Sequence, residues 1–285
     1  SFNFLLGHEG IVSHSEAFSL MTKGQNNDRL TNISTGTRAT SWSDTTDSDY
    51  GFLSFFSRGE YNFRNTYFVE AAVRADGSSR FGSSRRWAAF WSLGFMWDMR
   101  NEKFMDSASR WLTNAQLSFS TGTSGNSSIP NYEHMALVGG GLDYVGNAGV
   151  GLMQPGNENL GWEKPWTTNF AIHAGFWNRL NVDLELYYKR TSDMLMEVPA
   201  PYATTGYGYY WDNVGVMVNA GAEINVNATL IATQNFNWSV NTNVSYNHNE
   251  IVELYNGVTE YERSNTNTKL VVGRPLGEFY INRYA

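Results

Sequence analysis

Histidine, carboxylate and aromatic side chains are where chemistry would have to reside in this chain. His8 and Glu9 are adjacent and His14 follows, but a helical metal pair needs H-E-x-x-H to put two ligands on one face. That spacing is absent, so no metal site is expected. With no cysteine in the sequence, thiolate metal sites and a disulfide framework are excluded. Asp183 and Glu185 share one face of an extended strand. Glycosidase chemistry needs an acid and a base converging on one bond, and two solvated carboxylates explain this pair better. The run GGGLDYVGNAGVG, 139–151, lacks G-x-G-x-x-G between a strand and a helix, so it reads as a loop and not a phosphate cradle. No catalytic residue and no cofactor is expected, and the chain does not read as an enzyme. One stretch suits binding: TTGYGYYWDN, 204–213, places Tyr207, Tyr209, Tyr210 and Trp211 beside glycines. Aromatic faces stack on sugar rings and pack against partner proteins. Asp143 and Tyr144 are weaker candidates of the same kind.

The segments that must carry these residues alternate with a period of two. In YFVEAAVRAD, Tyr67, Val69, Ala71, Val73 and Ala75 form one set, while Glu70, Arg74 and Asp76 belong to the other. Such alternation marks strands whose two faces meet different surroundings. It recurs over 87–99, 112–122, 167–177, 180–191, 221–231 and 236–247. In 236–247 the polar set is Asn and Ser, and in 180–191 Val182, Leu184 and Leu186 oppose Asp183 and Glu185. These runs exceed the ~5–6 residues usual in soluble sheets and match the ~9–11 that a tilted strand needs to cross a bilayer. Short links fall near 64–66, 178–179 and 232–235, with 100–111 moderately short. Long ones run about 10–49, 123–165, 192–219 and 248–275, with 77–86 the shortest on that side. Short turns at one end and long loops at the other describe an outer-membrane barrel. Tyr61, Phe63, Trp87, Trp97, Trp177, Tyr188 and Tyr246 near strand ends suit interfacial girdles. A soluble β-sandwich also alternates and is the competing reading.

Composition fits a barrel. The chain of 285 residues carries 10 Trp, 16 Tyr and 17 Phe, far from a disordered composition. The net charge of −7 argues against nucleic acid as a partner. No apolar run approaches the ~18 residues of a membrane helix. A mean hydropathy of −0.40 is compatible with a barrel, whose polar lumen offsets its lipid face. The opening SFNFLLGHEG already alternates and lacks signal-peptide features. Both ends are expected to be cuts through a longer protein.

Four stretches carry a family likeness: RADGSSRFGSSRRWAAFWSLGFMWDM (74–99), LSFSTGTSGNSSIPNY (117–132), NENLGWEKPWTTNFAIHAGFWNRLNVDLELYYKRTSDMLMEVPAP (157–201) and NVGVMVNAGAEINVNATL (213–230). In order and spacing the chain resembles the barrel of SusC/RagA-type TonB-linked outer-membrane transporters. The resemblance implies an all-β fold: part of a 22-stranded antiparallel barrel, with residues 1–285 supplying about nine or ten strands. The plug domain and the closing strands would lie outside it. It further implies a multi-pass protein in the outer membrane of a Gram-negative bacterium, importing a large nutrient, glycan or peptide. A SusD-like surface lipoprotein would serve as lid, with energy from TonB through the missing N-terminal part. Tyr207, Tyr209, Tyr210, Trp211, Asp143 and Tyr144 would then contact ligand or lid. Glu70, Arg74, Asp76, Asp183 and Glu185 would face the lumen, and the apolar set would face membrane lipid. A non-transporting adhesin barrel or a passive porin is the alternative.

Overall fold

The computed structural model describes residues 1–29, 31–37, 42–262 and 268–278. Nine strands form one antiparallel sheet: β1 (Phe2–Met21), β2 (Trp42–Phe63), β3 (Tyr67–Ser78), β4 (Trp87–Asp98), β5 (Leu112–Thr123), β8 (Lys164–Phe176), β9 (Leu180–Ser192), β12 (Val216–Ala232) and β13 (Asn237–Glu253). Their spatial order is β1-β2-β3-β4-β5-β8-β9-β12-β13. The breaks in numbering are hairpins inside long loops: β6 (Leu137–Tyr144) with β7 (Asn147–Gln154), and β10 (Leu195–Pro199) with β11 (Tyr209–Asn213). A last small pair, β14 (Glu260–Glu262) and β15 (Lys269–Val271), follows β13. Among the described residues, no helix is long and apolar enough to cross a membrane.

Every strand expected from alternation is present, with ends within about three residues except that β12 starts earlier, at Val216, and β13 ends later, at Glu253. The long loops are more ordered than expected. The span 10–49 is mostly β-structure, because β1 and β2 stay paired from Phe2↔Tyr61 to Met21↔Trp42. β3 begins pairing with β2 only at Phe52↔Ser78, so the outer half of this hairpin projects about 30 Å past its neighbour at ~3.3 Å per residue. The spans 123–165 and 192–219 each hold a hairpin, and β13 runs on to Glu253.

The tight turns explain the short end. Arg64 and Asn65 both take positive φ (56° and 54°), as do Trp177 and Asn178 (51° and 52°). Two consecutive left-handed residues make the type I′ turn, whose twist matches that of paired strands. Thr66 N–H donates to Phe63 O at 3.1 Å, and Arg179 N–H to Phe176 O at 2.9 Å, closing them.

Register carries each face across the sheet. One row reads Tyr61, Val69, Phe95, Phe119, Phe170 and Leu186. The next row, on the opposite face, reads Glu60, Glu70, Gly94, Ser120, Asn169 and Tyr187. The apolar face is uncovered: Val73 is 58% and Leu93 50% exposed. A soluble sandwich would bury that face under a second sheet, and no such sheet exists among the described residues. At the short-turn end the rings form a belt. Tyr61–Phe63, Phe63–Tyr67 and Tyr67–Trp97 have centroids 6.4, 6.4 and 6.2 Å apart. The Tyr67 hydroxyl reaches Glu102 Oε1 at 2.5 Å, the apolar body and polar tip that an interfacial belt requires.

Candidate functional site: the polar face and the loop cap

At the long-loop end, side chains far apart in sequence build a core. Phe81, Phe90, Ile129, Leu160 and Trp162 cluster, with Phe52, Leu195 and Trp211 packed against them. Trp162 lies 5.0 Å from Phe81 and 5.6 Å from Phe90, centroid to centroid, and its Nε1 donates to Arg86 O at 3.0 Å. Gly82 is required here, since a Cβ on it would run into the Glu158 backbone, and its N–H donates to Leu160 O at 2.9 Å. Asn213 ties β11 to the same core. Its Oδ1 accepts from Gly161 N–H at 2.6 Å, and its Nδ2 donates to Gly161 O at 2.8 Å and Asp193 O at 3.0 Å. The Arg80 guanidinium sits 4.2 Å above the Tyr50 ring and donates to Asn131 Oδ1 at 2.7 Å, joining the projecting hairpin to the cap.

Below the cap, the polar face of β1–β3 carries two guanidinium groups, each between two carboxylates. Arg58 Nη2 contacts Glu60 at 2.5 Å and Glu70 at 2.9 Å. Arg74 contacts Asp76 through Nε at 2.6 Å and Glu9 through Nη2 at 3.1 Å. Most of these side chains are about half exposed, so the pairs fix geometry more than they add stability. Toward the short-turn end of β8–β12, Asp183 holds His173 Nδ1 at 2.9 Å and accepts from Asn225 Nδ2 at 3.4 Å. Glu185 stands in register with Ala171 and Glu223. Glu70, Arg74, Asp76, Asp183 and Glu185 thus all occur on the one polar face, in two separate groups. Sequence reading did not single out Glu9, Arg58 or Glu60 as their partners; the parity of Arg58 and Glu60 along β2 is the signal that could have done so.

The aromatic stretch 204–213 differs from the expected loop of four exposed rings. A short helix, α1 (Tyr202–Thr205), leads into it, and Tyr209–Trp211 belong to β11, paired with β10 as Pro199↔Tyr209, Val198↔Tyr210 and Glu197↔Trp211. Tyr209 is 47% exposed. Tyr207 and Tyr210 are half-buried, and Trp211 packs on the cap core. Alternation in β11 places Tyr209 and Trp211 on one side and Tyr210 on the other, and of the first two only Trp211 reaches the cap core. Partial burial, with the Glu197 and Glu133 carboxylates nearby, raises the Tyr209 phenol above its usual range. Asp143 and Tyr144 lie in β6 opposite Ala148 and Asn147; their side chains fall outside the described residues. Burial also raises the Glu133 carboxyl and lowers the neighbouring His134. His14, Asp47 and Asp49 meet across β1 and β2, with His14 Nδ1 2.6 Å from Asp49. All three are exposed, and nothing else about them points to a bound ion.

The family described as TonB dependent receptor-like, beta-barrel matches residues 2–278. The chain belongs to that family. SusC of Bacteroides thetaiotaomicron, a TonB-dependent receptor, is 32% identical over 213 residues, which cover 72% of this chain and 21% of SusC. A TonB-dependent receptor of Formosa agariphila is 35% identical over 221 residues, 77% of this chain and 20% of that protein. The RagAB peptide transporter structure superposes with a TM-score of 0.85 at 36% identity, over 96% of this chain and 30% of that one. The chain therefore spans about a fifth of those two curated relatives. For a member of this β-barrel family, the open nine-stranded sheet is one arc of the wall, and the cap belongs to its long loops.

Proposed function

We propose that this chain forms part of the wall and extracellular cap of an outer-membrane transporter of a Gram-negative bacterium, which imports a large nutrient using energy delivered through TonB. The observation carrying this reading is the division of the sheet. Apolar rows suited to acyl chains run across one face. The polar, partly ion-paired rows on the other, including Glu70, Arg74, Asp76, Asp183 and Glu185, suit a lumen. In this reading the short turns at 64–66 and 177–179 are periplasmic, and the cap is extracellular. Residues 1–285 are one part of the barrel domain, and the plug and remaining strands come from elsewhere in the polypeptide. Likeness to the RagAB peptide transporter supports oligopeptide as cargo; glycan as the other cargo, and a SusD-like lipoprotein as lid, are what the resemblance to SusC/RagA-type transporters implies. Tyr207, Tyr209 and Tyr210 are the candidates for contact with cargo or lid; Trp211 serves mainly to anchor β11.

The test uses cells carrying the whole transporter. Uptake of labelled oligosaccharide and oligopeptide pools is measured with TonB intact and inactivated. TonB-dependent uptake of either pool supports the reading, while uptake indifferent to TonB would indicate a passive pore. Serine at Tyr207, Tyr209 and Tyr210 together is expected to weaken uptake or lid co-purification while the barrel still assembles.

A further inference from the structure

The polar face holds a concavity of about 510 Å³ directly beneath the cap. Glu9, Arg74 and Asp76 line one side, Ser92 and Ser127 the other, and Phe90 closes the end next to Trp162. We propose that it is a subsite for a basic group of the cargo: a lysine or arginine side chain, or the free amino terminus, of an oligopeptide. The proposal deepens the import reading and rests on it.

Charge makes the first argument. The charged side chains among the described residues lining the concavity are two carboxylates and one guanidinium, so it carries a net negative charge. Arg74 is held by Asp76 on one side and Glu9 on the other. Asp76 is largely buried, with its side chain 11% exposed, whereas that of Glu9 is 49% exposed. Glu9 Oε2 takes the Arg74 contact, and a carboxylate has lone pairs beyond a single contact for an incoming ammonium.

Ring geometry makes the second. A sugar subsite would offer an exposed aromatic face. Here Phe90 and Trp162 are only 6% and 7% exposed, engaged edge-on with each other at 71°. Phe52 is half-buried and packs against Trp162 with centroids 6.1 Å apart, and Trp91, 41% exposed, stands in register with Val73 in the apolar row. The rings at the concavity thus supply apolar edges for an alkyl stem. Such a site suits a long aliphatic chain with a cationic tip.

The full-length transporter, purified with any lid it retains, is titrated with an end-blocked octapeptide bearing one lysine and with its Nε-acetyl form. Wild type is expected to prefer the lysine peptide. Glu9→Gln is nearly isosteric, leaves Arg74 its Asp76 partner, and is expected to weaken lysine-peptide binding about tenfold, the worth of one charge-assisted hydrogen bond. Binding of the acetylated peptide is expected to be unchanged. Glu70→Gln, an equivalent carboxylate at Arg58 outside the concavity, is expected to change neither. Equal losses from Glu9→Gln and Glu70→Gln, no loss from Glu9→Gln, or no preference by wild type would each overturn the proposal. So would binding of oligosaccharide alone, which with TonB-dependent sugar uptake leaves the import reading standing. Loss of all TonB-dependent uptake would sink that reading instead.

Discussion

Leu93 in the wall is 50% exposed, whereas Leu160 in the cap is 0% exposed. Both are apolar residues in segments carrying the family likeness, yet their surroundings are opposite. The wall leaves large side chains uncovered along Val69, Val73, Phe95 and Phe119, and in the proposed barrel lipid completes their packing. The cap buries Phe81, Phe90 and Trp162 against one another, as a water-soluble domain does. One chain thus uses two solvents. Hydrogen bonds in the wall are mostly the strand ladder, with side-chain groups such as Arg58 and Arg74 bonding across its polar face, while the cap adds side chains such as Asn213 and Asn157 to hold segments that have no ladder between them.

The sharpest break of this comparison is to empty the cap core. Trp162→Ala is expected to destabilise the cap by about 3–5 kcal/mol, the usual range for a buried aromatic, and to raise proteolysis of 124–163 while the barrel still resists denaturant. Simultaneous melting of wall and cap would show that they share one core. The second test reverses solvent on the wall. Leu184→Lys is expected to cost roughly 2–4 kcal/mol if it lies near the midplane, measured by denaturant titration of the whole protein in vesicles. Glu185→Lys, one residue on and on the other face, is expected to cost much less. Equal costs would mean that the faces are not divided as described.

A smaller effect is expected at the join between the hairpin and the cap. Asn213→Ala leaves the Gly161 and Asp193 backbone groups without their partner and is expected to loosen β10–β11 by about 1–3 kcal/mol, read as faster amide exchange across 195–213. The smallest effect is pH dependence. Burial, opposed by a bond to Arg80 O and aided by Arg86, lowers His134 below its ordinary 6.5. At His134 an opened cap therefore binds more protons than the closed one as pH falls below that value, so this group destabilises the cap just below pH 6.5, while the raised Glu133 carboxyl opposes the loss as pH falls further toward 4.5. Amide exchange across 131–135, corrected for intrinsic rates, is expected to speed up on that side and less so in His134→Gln.

Alternation along the chain determined seven of the sheet's strands by itself, because a period of two is a local property of extended backbone and needs no partner to be read; that β1 and β2 run on through much of 10–49 appeared only in the folded chain. Val182, Leu184 and Leu186 opposing Asp183 and Glu185 were legible in that way, as was the shared face of Glu70, Arg74 and Asp76. The quoted stretches also carried the family likeness. What meets what across strands required the register. Glu9 reaches Arg74 over 65 residues of sequence, and Asn213 reaches Gly161 over 52. The cap core escaped the sequence for the same reason: Phe81, Ile129 and Leu160 come from three irregular segments with no common period. The pairing of Tyr209–Trp211 with β10 likewise appeared only in the folded chain, where Trp211 packs on the cap core while Tyr209, on the same side of β11, stays 47% exposed.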